Sequence, residues 1–499
     1  MRIQRGGLVL ATCVALVMTL PAVASATPSP ADQLARKVTA TGVNRHLVAL
    51  QRIADKNKGT RAVQTPGYDA SLDYVAGKLR DAGFLVDTPE FPYETSTVEA
   101  AAVDVGGVKP KLVPLTYSKS TPAGGVTAPL AVVPENANTG CAAADYAGVP
   151  AKGAIVLIRR GGCTFAEKQR IAFEQGAVAA IISNNADGGP VSGTLGSPDA
   201  AKLPVGGVSK EDGNVLAGKA GTQTTLDIRV RIEARTAKNI IAQTRTGRAD
   251  NVVMAGAHLD SVEAGPGIND DGSGTASLLE TALQLGSAPK TKNAIRFGWW
   301  GAEELGLVGS TKYVESLSFE EQLNIALYLN FDMVGSPNAG YFVFDGDDSD
   351  KVGAGPGPYG SAQIEKAFQD YFTGTGVPTE GTDFTGRSDY GGFIAAGIPA
   401  GGLFTGGELI KSEAQAKKWG GKAGTAFDAC YHQACDNLGN IDRTALGRNA
   451  QAIAYVTASY GASTESVNGV PSRANRLQQR QAFVAPHLDG DPDCGLATA

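Results

Sequence analysis

Val252-Val-Met-Ala-Gly-Ala-His-Leu-Asp-Ser261, followed by Gly265-Pro-Gly-Ile-Asn-Asp-Asp-Gly-Ser-Gly274, is the stretch on which the fold turns. The uninterrupted apolar run Val252 to Ala257 reads as a strand buried on both faces. It delivers His258 and Asp260 at its end. The Gly-rich loop then presents Asp270 and Asp271, and an apolar helix starts near Thr275. Charged groups are rarely buried unless paired or bound to metal, so this clustering is hard to explain as packing.

Working outward, an α/β rhythm runs from Thr236. Strands are expected at 239–244, 251–257, 294–300 and 325–331, and helices at 275–285, 307–317 and 362–371. Strands alternating with helices imply crossover connections and a doubly wound, mostly parallel α/β sheet flanked by helices. Three of the strands end on chemistry-bearing residues. The first reaches His258 and Asp260. Ala294-Ile-Arg-Phe-Gly-Trp-Trp300 runs through Gly301-Ala302 into Glu303-Glu304, and Ile325-Ala-Leu-Tyr-Leu-Asn-Phe331 ends at Asp332. Ligands of open α/β sheets bind beyond the carboxyl ends of the strands, so these side chains are expected to converge in one crevice. Far downstream, Cys430-Tyr-His-Gln-Ala-Cys435 offers His432 on a short loop.

So many carboxylates in one crevice repel and raise one another's pKa values, which divalent cations relieve. Two His with mixed carboxylates suit zinc, whereas calcium or magnesium favours oxygen alone. Five ligands, one of them bridging, suit two metals about 3.5–4 Å apart.

The remainder frames this centre. With 499 residues the chain exceeds one ordinary core, and 42% hydrophobic against 19% charged residues is a globular balance. A net charge of −6 with no long basic run argues against nucleic acid and anionic lipid as partners. Residues 1–26 resemble an export signal: Arg2 and Arg5, an apolar run of 13 positions from Leu8 to Leu20, then Ala24-Ser25-Ala26. That run is short of the roughly 20 residues that span a bilayer. The expected mature protein is therefore secreted, extracellular and without a membrane span, and it is expected to act as a monomer. Export permits disulfides. Proximity in the chain suggests Cys141–Cys163 and Cys430–Cys435, with Cys494 left unpaired or lost, although sequence alone leaves the connectivity open.

Residues 31–90 carry a helical pattern, and His46 falls off the stripe of Val43, Leu47, Leu50 and Ile53, as a surface or capping histidine would. Between 95 and 235 short β-like runs alternate with Gly and Pro. This block has no His and reads as a β-rich insert that either shapes the cleft mouth, sorting substrates by length, or serves as a passive spacer. From Thr464 the chain turns polar and reads as a loosely held tail or processed extension, 464–499, that includes His487. Phe384, Phe393, Leu403 and Phe404 are candidates for lining an apolar pocket or for plain core.

Taken together, His258-Leu-Asp-Ser, Gly267-Ile-Asn-Asp-Asp-Gly-Ser-Gly, Phe297-Gly-Trp-Trp-Gly-Ala-Glu-Glu-Leu-Gly-Leu-Val-Gly-Ser310, Leu329-Asn-Phe-Asp-Met-Val-Gly-Ser, Gly386-Arg-Ser-Asp-Tyr and Tyr431-His resemble the M28 family of zinc aminopeptidases, especially secreted bacterial leucine-type members. Gly153-Ala-Ile-Val-Leu-Ile-Arg-Arg-Gly-Gly-Cys-Thr-Phe165 resembles a protease-associated (PA) domain, a common insert in that family. The resemblance implies a zinc-exopeptidase-type catalytic domain over 27–94 and 236–463, interrupted by a PA domain at 95–235. It also implies two zinc ions: His258 and Asp332 on one, Glu304 and His432 on the other, Asp270 bridging. A calcium ion is a further expectation. Glu303 matches the general base, Asp260 the carboxylate orienting His258, and Tyr431 the group polarising the scissile carbonyl. Arg387 and Phe404 are the expected substrate-binding residues. Tyr390 stands where many relatives have His. Peptide or protein N-termini, preferably with large apolar residues such as Leu, are the implied substrates.

Three rivals arise from the same residues. A glutaminyl-cyclase-like enzyme of this fold uses one metal, which the five-ligand set disfavours. A carboxypeptidase needs basic residues for a terminal carboxylate, and Arg387 alone is thin support. A non-catalytic receptor or binding protein on this fold is expected to have lost ligands or the base, and none is missing.

Overall fold

The computed structural model describes residues 27–136, 139–185, 189–351 and 355–483. The expected export signal, His487 and Cys494 lie outside the described residues.

The apolar runs form the middle of an eight-stranded sheet, ordered Leu85–Asp87, Ile240–Gln243, Asn293–Trp300, Arg248–His258, Ile325–Phe331, Ala400–Phe404, Phe342–Phe344, Glu380–Thr382. Arg248–His258 pairs in parallel with both Asn293–Trp300 and Ile325–Phe331, and the latter pairs in parallel with Ala400–Phe404. From Asn251 to His258 every residue is buried, because helices cover both faces of the sheet. Ile240–Gln243 and Phe342–Phe344 add antiparallel pairings, so the sheet is mixed toward its edges.

The insert has its own seven-stranded sheet, in the order Glu90–Val105, Gln223–Lys238, Val126–Val132, Ile155–Arg159, Ala179–Ser183, Val205–Val208, Val113–Pro114. Glu90–Val105 and Gln223–Lys238 run antiparallel over their whole length and carry the chain out of the catalytic body and back. The expected junctions near 94 and 236 thus fall inside this ribbon. Both expected disulfides form, Cys141–Cys163 in the insert and Cys430–Cys435 beside the crevice.

Two expectations need correction. His46 is not a surface residue but 2% exposed, with Nδ1 2.7 Å from the Tyr74 hydroxyl and Nε2 3.1 Å from Glu280 Oε2. Its position off the apolar stripe places it against a polar spot on the helix Gly272–Leu285 rather than in water. The polar stretch after Thr464 is not loosely held as far as Ala482. It forms the helices Glu465–Asn468 and Ser472–Ala482. Buried Arg476 donates to the Leu323 carbonyl at 2.9 Å, Asn251 Oδ1 at 2.6 Å and the Asp250 carbonyl at 2.9 Å. One guanidinium satisfies carbonyls that burial would otherwise strand.

Candidate metal centre

Three strand ends and one loop assemble the crevice. Arg248–His258 ends at His258, Asn293–Trp300 leads through Ala302 to Glu303 and Glu304, and Ile325–Phe331 leads to Asp332. Asp270 precedes the helix Gly272–Leu285, and His432 lies in the disulfide loop. His258 Nε2 is 3.1 Å from Asp270 Oδ1, 3.6 Å from Asp332 Oδ1 and 3.9 Å from Glu303 Oε2. His432 Nε2 is 3.2 Å from Asp270 Oδ2 and 3.0 Å from Glu304 Oε2. Two imidazoles from opposite ends of the domain therefore face the two oxygens of one carboxylate. His258, Asp270, Glu303, Glu304, Asp332 and His432 form one group.

The backbone is arranged to hold this group. Asp271 caps the helix by accepting from Gly274 N at 2.9 Å, and it also accepts from Met333 N at 3.1 Å and His258 N at 3.2 Å, tying the strand ends together. At Gly274 a Cβ would collide with the Phe331 carbonyl. Ala302, Met333 and His432 adopt positive φ values of 57°, 51° and 58°. Each costs of order 1 kcal/mol and is held by its surroundings. Arg61, fully buried, donates to the carbonyls of Leu259, Pro266 and Gly267, bracing the loops on either side of Asp260.

Electrostatics make the group unbalanced. Burial works against charging the His258 imidazole, but Glu303, Asp332 and Asp270 outweigh it and raise its pKa well above the usual range. Burial likewise opposes charge on His432, yet Glu304 and Asp270 push it up to about 11. Burial raises Asp260 to about 7 and Glu303 well above the carboxylate range. Glu304 Oε1 is buried without a hydrogen-bond partner.

Asp260 meets the His258 ring at Nδ1 from two sides: its carboxylate stands 3.8 Å away, and its main-chain carbonyl lies at 3.1 Å. The carboxylate accepts the amides of Glu303 at 3.2 Å and Glu304 at 3.4 Å, so it positions that pair. Tyr431 stacks on His432, ring centroids 3.8 Å apart. Arg387 pairs with Glu408 at 2.7 Å and donates to the Tyr431 hydroxyl at 3.2 Å. Phe404 lines the cavity beside the group with Met333, Phe344, Tyr390 and Leu409. Phe384, Phe393 and Leu403, at 2%, 0% and 0% exposure, are core.

Sequence reasoning assigned no role to several residues that support the site. Ser388 donates to Asp332 Oδ2 at 2.6 Å, and its place in Gly386-Arg-Ser-Asp-Tyr390 was the available signal. Asp436, directly after Cys435, accepts the amides of Asn269 and Asp270 at 2.8 and 3.0 Å. Arg61 carries no spacing signal at all. A separate carboxylate group, Asp345, Asp347 and Glu365, is the all-oxygen candidate for calcium among the described residues. Asp345 accepts the Ser349 and Asp350 amides at 3.0 and 3.1 Å, and Glu365 accepts the Gly346 amide at 2.9 Å, so these oxygens are already served by their own loop.

Comparison with known proteins agrees with the geometry. Residues 239–457 match the model of peptidase family M28, and 126–216 match the PA domain. The chain is 50% identical over 448 residues, 89% of each chain, to a probable lipoprotein aminopeptidase of Mycobacterium tuberculosis. It resembles the solved aminopeptidase from Aneurinibacillus sp. strain AM-1 with a TM-score of 0.68 and 29% identity, covering 85% of this chain and 95% of that one. For a zinc aminopeptidase from Bacillus subtilis the TM-score is 0.61 at 26% identity, covering 85% and 95%. With the fold, the crevice and these relatives in agreement, the chain belongs to peptidase family M28 and carries an inserted PA domain.

Proposed function

We propose that this metallo-aminopeptidase works with two zinc ions, His258 and Asp332 holding one, Glu304 and His432 the other, and Asp270 bridging. The observation that carries the reading is the pair of imidazoles on opposite oxygens of Asp270. The donor set fits the ions: two imidazoles, mixed carboxylates, and Glu304 Oε1 with no protein partner. A divalent cation also takes the place of the protons that the surrounding carboxylates draw onto both rings. The zinc named for the Bacillus subtilis relative supports the choice of metal. We assign no calcium to the chain.

When bound, two zinc ions supply Lewis acidity and a water of lowered pKa. Glu303, buried at the edge of the group, takes the proton of the attacking water and passes one to the leaving amine as the C–N bond breaks. Asp260 fixes Glu303 and Glu304 through their amides. The Tyr431 hydroxyl donates to the oxygen of the scissile carbonyl, an electrostatic contribution that is usually large. The substrate's free amine sits among the carboxylates, which restricts cleavage to the first residue. That residue's side chain enters the cavity lined by Met333, Phe344, Phe404 and Leu409, which suits Leu-like groups. Arg387 reaches the same cavity but is already engaged by Glu408 and Tyr431, which speaks against a carboxypeptidase. The basic start and short apolar run of residues 1–26, together with two disulfides, support export. No helix among the described residues is long and apolar enough to cross a membrane.

The test is zinc content per chain together with leucine release from leucine amide, before and after chelation. Two zinc ions per chain and activity lost on chelation and restored by zinc are expected. Full activity in a metal-free protein would overturn the reading.

A further inference from the structure

A second cavity begins where the metal centre ends. It has a volume of about 420 Å³ and lies between the catalytic body and the insert. Glu304 lines both this cavity and the one that takes the first side chain. On the catalytic side it is bounded by Gln64, Glu263 and Leu305, and on the insert side by Thr95–Val98, Thr116 and Ser192–Thr194.

The wall made by Thr95–Val98 has a special property. It belongs to Glu90–Val105, which is an edge strand of the insert's sheet, paired with Gln223–Lys238 on one side only. An edge strand presents N–H and C=O groups on alternate residues along its open side, a ready template for another extended chain. Four residues span about 10 Å at about 3.3 Å per residue, enough to pair with about three residues of a bound peptide. The insert's side is rich in hydroxyls: Thr95, Ser96, Thr97, Thr116, Ser192 and Thr194. Glu94 and Arg235 on the insert's strands, with Glu263 and Glu304 opposite, bring charges of both signs to the same cavity.

We infer that the leaving part of the peptide, from its second residue on, lies in this cavity and adds as a strand to the open edge of Thr95–Val98. The inference rests on the aminopeptidase reading and extends it to the substrate beyond the cleaved bond. Main-chain pairing holds a peptide whatever its side chains. An enzyme that selects by the first residue thereby gains affinity for long substrates without restricting the residues after the cleaved bond.

The test uses the full-length enzyme with two substrates, leucine amide and a leucine-headed pentapeptide. Thr97→Trp and Ser192→Trp fill the cavity from the insert side, away from the metal group. For the pentapeptide kcat/KM should fall about tenfold, the worth of one or two hydrogen bonds, mainly through KM. Leucine amide turnover should stay within about twofold, as for distant independent sites. A second measurement needs no variant. N-methylation of one backbone amide at the third or the fourth residue should weaken binding at one of these positions and not at its neighbour, because only alternate residues face the edge. Equal changes on both substrates, or none on the pentapeptide, would overturn the inference, as would equal tolerance of N-methylation at both positions. An unaltered enzyme that fails to release leucine from the amide would sink the aminopeptidase reading as well; release from the amide with an indifferent pentapeptide sinks only the edge-strand path.

Discussion

The helix Gly272–Leu285 touches two buried clusters of histidine and carboxylate, and they are built in opposite ways. On its flank Glu280 receives Arg45 Nη2 at 2.7 Å, Gln284 Nε2 at 3.0 Å and faces His46 Nε2 at 3.1 Å, while the other ring nitrogen of His46 meets Tyr74. At its N-terminal end the His258–His432 group sets carboxylates against one another and leaves Glu304 Oε1 without a partner. The first cluster is electrically closed by its own side chains; the second closes only with added cations. Burial of a histidine beside a carboxylate therefore marks structure as readily as chemistry. An excess of like charge together with an orphaned oxygen separates the two.

Substitutions can break or sharpen this contrast. The largest effect is expected at Glu303: Glu303→Gln should keep its zinc and lose about 10²–10⁴ in kcat, the range for general acid–base catalysis. Near-normal turnover with zinc confirmed would remove Glu303 from the mechanism. Next, Tyr431→Phe should lower kcat by about 10²-fold, as for one oxyanion donor, with metal content unchanged; steady-state kinetics on leucine amide decide it. Glu280→Gln should behave in the opposite manner. It breaks a paired cluster and should cost about 3 kcal/mol in denaturant unfolding, while kcat per folded molecule stays unchanged. If Glu280→Gln lost catalysis at full stability, the contrast would fail.

The smallest effect is a pH dependence. Burial works to raise the Glu280 pKa, but hydrogen bonds from His46, Arg45 and Gln284 outweigh it and hold it down from 4.5 to about 2. A depressed carboxylate stabilises the fold above its unfolded pKa, and that contribution disappears as pH falls from about 4.5 to about 2. Unfolding at pH 6 and pH 3 should show the wild type losing more stability on acidification than Glu280→Gln. Parallel losses would refute the assignment.

Much of this was legible in the chain. The strand Ile325–Phe331 was readable to its end residues, because an apolar run bounded by polar groups on both sides has a local signature. His258, Glu303, Glu304 and Asp332 were legible as strand-end residues by the same logic. His432 carried a weaker signal. It lies in an irregular loop far downstream, marked only by its place between Cys430 and Cys435, and the structure places it 3.0 Å from Glu304. Phe404 and Phe384 look alike in sequence, yet one lines the cavity and the other is core. A polar segment with a buried Arg476 reads as a tail until the carbonyls it serves are seen.

By itself, the sequence determined the rhythm of strands and helices, the insert's distinct texture and the residue types gathered at the strand ends. These depend on local period, capping and the cost of burying charge. Only the tertiary structure decided that two imidazoles face one Asp270, that Asp260 also holds the amides of Glu303 and Glu304, and that the insert's open strand edge lines one cavity with Glu304. Those facts depend on how segments far apart in the chain pack in space, and that is settled by the sum of many weak contacts rather than by any residue's neighbours in sequence.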